Sequence, residues 1–423
     1  MFTTIFIWEI RYWLRQPSVY AYGLILLFIS CATMAAHAGI FGEQRAVPGM
    51  EVLANAPLRL QEMAGFFFKL ILFLVPAIIG GCISRDFKGN VHTLLYAYPM
   101  AKKSYLLAKF FSAFCVLVII VFSLGLGFYI GARLPGADPG LVGPFRPEAY
   151  LQLYLIYLLP NILFFGAAVF TAVALTRNIY AGFICVVLLL FVQMLAGSLL
   201  SGPDSRFAAA LFDPFGQKAC FYYTRYWTFA ERNELLPPVE AAVIFNRFFW
   251  LGVSAVVFAA GYWRFALHHY GYYRGRRRRQ EAHGTEKNSG GMAIVELSGV
   301  RPGFSLRQHV RTTWRLSSFE FRYILSSRMF LSILAMGLLM VFFQQAEMNP
   351  QYGFRTLPVT WKMLNVPAFV FLGAVHLLTF LYAGMLVHRA RSARCDQLVD
   401  STPAPNWVLL FSKAIALIRM QVV

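Results

Sequence analysis

Residues 111–130 read Phe-Ser-Ala-Phe-Cys-Val-Leu-Val-Ile-Ile-Val-Phe-Ser-Leu-Gly-Leu-Gly-Phe-Tyr-Ile, twenty positions without a charge. Phe66 to Ile83 and Ile179 to Leu200 are two further apolar runs, nearly free of charge. A helix rises about 1.5 Å per residue, so about 20 residues cross a hydrocarbon core of about 30 Å. Backbone in lipid must satisfy its own hydrogen bonds, which makes these runs helices. A membrane β-barrel would instead show short alternating strands. Composition agrees: 58% of the chain is hydrophobic and only 13% charged, too apolar for an ordinary soluble domain. The sequence predicts an all-α polytopic membrane protein.

The net charge of +19 is explained by topology rather than by nucleic acid. Arg11 and Arg15, then Arg85, Lys88, Lys102, Lys103 and Lys109, then Arg274 and Arg276 to Arg279 fall on alternate connections between apolar runs. That is the positive-inside pattern and places the N-terminus inside. None of the sequence signatures of nucleic-acid recognition accompanies the basic run. The six cysteines form no CxxC or Cys/His cluster, so neither a disulfide framework nor a metal site is expected. Met1 to Tyr20 carries Glu9, Arg11 and Arg15 and lacks the apolar h-region of a signal peptide.

Phe2, Ile5, Phe6, Ile10 and Trp13 recur at helical spacing, predicting an amphipathic helix in the membrane interface that ends at Pro17. Six spans follow, about 20–36, 65–83, 107–130, 150–175, 179–200 and 243–263. Together they make a first unit, residues 1–265. Residues 266–318 read as a basic cytoplasmic linker suited to anionic lipid. Residues 319–423 read as a second, partial unit with spans at about 329–343 and 366–387 and the start of a third.

Polar landmarks argue that the second unit repeats the first. Arg85 and Arg389, Leu94 and Leu398, Pro99 and Pro403, and Lys109 and Lys413 each stand 304 positions apart. Glu9-Ile10-Arg11-Tyr12 is echoed 311 positions later by Glu320-Phe321-Arg322-Tyr323. Matched polar residues beside matched spans are harder to reach by chance than matched apolar runs. An even number of spans separates the copies, so the repeat is parallel and both basic segments face the cytoplasm. A full second copy would need most of a ninth span and three more, so the chain is expected to be a piece of a larger protein.

Catalytic motifs are missing from the sequence. There is no Gly-x-x-x-x-Gly-Lys-Ser/Thr loop for ATP phosphates, no His-Glu-x-x-His and no Gly-x-Ser-x-Gly elbow. No catalytic residue, metal site or cofactor bound by this chain is expected. Asn161, Gln193 and His376 are polar residues within spans; they are candidates for a substrate path, with interhelical hydrogen bonding the favoured reading.

Ser84-Arg-Asp-Phe-Lys-Gly-Asn-Val-His-Thr-Leu-Leu-Tyr-Ala-Tyr-Pro99, followed by Lys102 to Lys109, resembles the coupling-helix loop of ABC-2-type ABC transporter permeases. Gly89 and Thr93 stand further apart here than in that family's pattern, and the second copy lacks both. Asp213-Pro-Phe-Gly216, Thr224-Arg-Tyr-Trp-Thr228, Glu231, Asn233 and Asn246-Arg-Phe-Phe-Trp250 are similar to double-length permeases fused to a C-terminal zinc aminopeptidase. The peptidase itself has no counterpart in this sequence. The resemblance implies a six-helix ABC-2-type transmembrane unit followed by the linker and an incomplete second copy. It implies a separate ABC ATPase subunit that carries ATP and Mg and docks on Arg85, Asp86, Lys88, Leu94, Leu95 and Pro99, and on Arg389, Leu398 and Pro403 of the second copy. Implied too are the cytoplasmic membrane of a bacterium, a transport cycle for which the resemblance favours export, and pairing of permease units as a homo- or pseudo-dimer. Two other readings stand beside it: a membrane anchor or scaffold for a downstream zinc aminopeptidase, and a secondary transporter driven by an ion gradient.

Overall fold

A computed structural model describes residues 1–42, 52–89, 91–92, 95, 100–200, 205–265, 305–346, 360–393 and 395–422. Leu94 and Pro99, most of the expected short helix at 90–98 and the greater part of the linker lie outside the described residues. The described residues are helical and contain no strand. The chain divides into two compact units, Met1–Tyr273 and Arg274–Val423.

In the first unit α1 (Phe2–Leu14) is followed by α2 (Pro17–His37), whose first-turn proline needs no donor there. Next come α3 (Pro57–Ile71), a π-helical turn Pro76–Gly80 and α4 (Gly81–Lys88). The long α5 (Lys102–Gly131) leads to α6 (Pro147–Gln152), a second π-helical turn Leu153–Leu158 and α7 (Leu159–Thr176). α8 (Ile179–Leu199) precedes three short helices, α9 (Arg206–Leu211), α10 (Gln217–Thr224) and α11 (Phe229–Glu234), and α12 (Ala241–Arg264) closes the unit. Each π-turn adjoins a proline, Pro76 or Pro160. A proline removes one backbone donor and crowds the preceding turn, and a π-turn is one way a helix absorbs that.

Among the described residues six helices are long and apolar enough to cross a membrane: 17–37, 57–88, 102–131, 147–176 and 241–264 here, and 371–391 in the second unit. A shorter apolar helix covers Ile179–Met194. The helices overrun the expected spans. The second continues through Arg85, Asp86 and Lys88, and the third begins at Lys102, so much of the basic segment is helix end rather than loop.

Within the largely aliphatic core of this unit sits an aromatic cluster. Phe68, Phe165 and Phe215 meet at ring-centroid distances of 5.3–6.0 Å, and all three are buried. α2 lies close along α5 because Gly127 and Gly131 remove side chains from the contact. A Cβ on Gly127 would overlap Ser30, and one on Gly131 would overlap the carbonyl of Cys31. Small residues four apart let two membrane helices approach backbone to backbone, where dispersion replaces the hydrophobic drive that lipid does not supply.

The second unit contains α13 (Leu306–Leu325), capped by Ser305 Oγ, which accepts from Gln308 N. α14 (Arg328–Ala346), α15 (Thr360–Ser392), α16 (Asp396–Asp400) and α17 (Asn406–Val422) follow. α13 thus starts inside the stretch read from sequence as linker, and 306–318 is helix. α17 packs along α13 and against α15. Its Arg419 donates to Ser318 Oγ at 2.9 Å and lies 4.5 Å over the Phe321 ring.

Candidate functional site

Helical spacing builds a charge node at one end of the first unit. On α1, Glu9 and Trp13 are four apart and are the two buried residues of that helix. On α4, Cys82, Arg85 and Asp86 share a face, and on α5 Tyr105 and Lys109 are again four apart. Lys109 Nζ lies 2.5 Å from Glu9 Oε1 and 2.7 Å from Asp86 Oδ2, and donates to the Cys82 carbonyl at 3.3 Å. That satisfies all three ammonium donors. Arg85 donates to both Glu9 oxygens at 2.7 and 2.8 Å and lies 3.7 Å over the Tyr12 ring. Tyr105 Oη donates to Asp86 Oδ2 at 2.8 Å.

Two carboxylates therefore face two cations, with Glu9, Asp86 and Lys109 buried. Desolvating such charges costs several kcal/mol each, and the arrangement is stable only because every charge has an opposite partner and hydrogen bonds. The node joins α1, α4 and α5 on both sides of the 90–99 segment.

Asp86 is turned inward, and Arg85, partly exposed, is engaged with Glu9 and Tyr12. Lys88 is exposed at the end of α4. Leu95 is partly buried against the core, its N–H bonded to the Val91 carbonyl. Glu9, Tyr105 and Lys109 were not expected as its partners. The signal was present: Glu9 stands four residues from both Ile5 and Trp13, an acid on an apolar stripe that demands a buried cation.

The second unit carries a related contact. Arg389 pairs with Glu320 and lies 4.0 Å over Tyr323. Ala390 and Leu409 lie 304 positions after Asp86 and Tyr105 in the sequence, so that offset pairs the carboxylate and the phenol with apolar residues. Leu398 and Pro403 are exposed in and just after α16.

Asn161 and Gln193 converge on the 213–216 turn at the opposite end of the unit. Asn161 Nδ2 donates to the Phe215 carbonyl at 3.2 Å, and Gln193 Nε2 donates to Asp213 Oδ1 at 3.3 Å. Asn161 Oδ1 accepts from Arg247 at 2.8 Å. Asn246 Nδ2 donates to the carbonyls of Ala210, Leu211 and Asp213 at 2.7–3.0 Å. Asp213 accepts from the N–H groups of Phe215 and Lys218, Phe215 plugs the aromatic core, and Gly216 takes φ +73°. Asn161 thus ties its helix to the 213–216 turn and to α12, and Gln193 ties α8 to the same turn. His376 bonds the Leu372 carbonyl of its own helix at 2.7 Å.

Compared with known proteins, the chain matches no protein-family model, no curated protein and no solved structure.

Proposed function

We propose that this chain is the membrane-spanning permease subunit of an ABC-2-type transporter, working with a separate ATPase subunit that holds ATP and Mg. The observation that carries the reading is the node of Glu9, Arg85, Asp86 and Lys109. It makes one stiff joint of α1 and the two span ends that flank residues 90–99. Closure of a docked ATPase would push that segment, and the joint would turn the push into a tilt of both spans. Lys88, at the exposed edge, is the charge available to a partner.

The reading includes an internal duplication and an N-terminus on the cytoplasmic side. Support for the duplication comes from the paired contacts Glu9–Arg85–Tyr12 and Glu320–Arg389–Tyr323, which join equivalent landmarks within each unit. Orientation is supported by the basic residues gathered at the node end, as the positive-inside rule requires. The test is co-purification of the chain with an ATPase subunit. Lys88→Glu should weaken the complex while leaving the node intact, and Arg85→Glu should weaken it by loosening the joint. Binding that survives scrambling of the whole 84–109 segment would overturn the docking.

A further inference from the structure

We propose that the groove between α5, α7 and α12 is a binding site for a phospholipid with an anionic headgroup. The proposal rests on the membrane-spanning helices alone and not on the permease reading. α5 and α12 both pack on α7 and leave a cleft of about 490 Å³ between them. Phe110 and Phe258 form part of its wall, 5.1 Å apart, with Phe170 stacked behind them. Leu163 and Ala255 continue the apolar lining, and Lys103 supplies its one charged group.

Length and charge choose the occupant. Along α12 the groove runs from Tyr262 to Leu251, about 16 Å of helix and about half of a 30 Å hydrocarbon core. It therefore matches one leaflet, the reach of one acyl chain. The cations sit at one end only. Lys103 is exposed at the start of α5, and Lys102 lies 4.5 Å over the Tyr262 ring. Among the described residues neither lysine makes an ion pair. Two uncompensated ammonium groups where an apolar groove reaches the interface match an anionic headgroup, because basic pockets between membrane helices hold such lipids. Ser254, the polar residue deepest in the lining, already donates to the Trp250 carbonyl and asks for no ligand.

The test reconstitutes the full chain in phosphatidylcholine vesicles doped with diazirine-tailed phosphatidylglycerol or, separately, diazirine-tailed phosphatidylcholine. Photolabelled peptides are then mapped. The phosphatidylglycerol probe should label segments around Phe110, Leu163 and Phe258 about fivefold more strongly, the enrichment one basic side chain gives near an anionic surface. Lys102→Gln with Lys103→Gln should abolish that excess. Ala255→Trp, an exposed position, should fill the groove and lower labelling by both probes. Equal labelling by the two probes, an excess indifferent to the lysines, or crosslinks from the groove to another protein chain would overturn the assignment.

Discussion

Lys109 Nζ sits 2.5 Å from Glu9 Oε1, with 3% and 0% of the two side chains exposed. One hundred residues of sequence separate them. The contact binds α1 to α5, one of the helices long and apolar enough to cross a membrane.

Removing Lys109 leaves Asp86 buried with its Tyr105 hydrogen bond but without its ammonium partner, while Glu9 keeps Arg85. Lys109→Met should destabilise the first unit by about 3–5 kcal/mol, the cost of breaking a buried pair. Adding Asp86→Asn should recover part of the loss, since the carboxylate left without a cation goes with it. Denaturation midpoints in detergent and hydrogen exchange of α1 amides would measure both.

Arginine and lysine should not be interchangeable at position 85. Arg85→Lys keeps the charge beside Glu9 but loses the planar face over Tyr12 and the paired donors. The expected cost is about 0.5–2 kcal/mol. Arg389→Lys should cost a similar amount against Tyr323, and exchange in α13 should rise while α1 is unaffected.

Gly216 has two reasons to be glycine. Its φ is +73°, and a Cβ would overlap the Arg247 guanidinium. Gly136 has the first reason only, with φ +97° and open space around it. Gly136→Ala should cost about 1–2 kcal/mol for the backbone, and Gly216→Ala distinctly more. Equal shifts in thermal midpoint would show that Arg247 moves aside freely.

Cys220 and Cys395 should differ in reactivity. Cys220 is buried and donates to Gln61 Oε1 at 2.9 Å, whereas Cys395 is exposed. Burial pushes the Cys220 thiol above its ordinary range, and the thiolate is the nucleophile. In single-cysteine variants maleimide should label Cys395 at neutral pH and leave Cys220 unlabelled until the chain unfolds. The folded state holds the Cys220 proton more tightly than the unfolded state. Its contribution to stability is therefore complete below the unfolded thiol's pKa and is lost as pH rises above it. Cys220→Ser should flatten that alkaline loss.

Much of the site was written in the sequence without its partners. Arg85, Asp86 and Lys109 stood out as landmarks beside apolar runs, and α4 and α5 carry them where helix ends were expected. The docking role of Arg85 and Asp86 came from a family resemblance, which says nothing of the partners each side chain finds within the fold. Charge implies exposure only when no opposite charge can be buried with it, and Glu9 on a separate helix supplies one. Asn161 and Gln193 show the same limit. Polarity in a span marks each as unusual, but only the path of 213–216 decides what they bond. Arg419 had no sequence rationale, and Ser318, Trp314 and Phe321 on α13 provide one.

The sequence by itself determined the helices and that they suit a membrane, because hydrophobic length and backbone self-satisfaction are local properties. It also placed the repeated polar landmarks. Tertiary structure decided which charges meet. Ion pairing falls off within a few ångströms and depends on desolvation by neighbours far away in the chain. Glu9 and Lys109 are joined only when α1 folds against α5, and that packing turned a set of apparent surface charges into a buried joint.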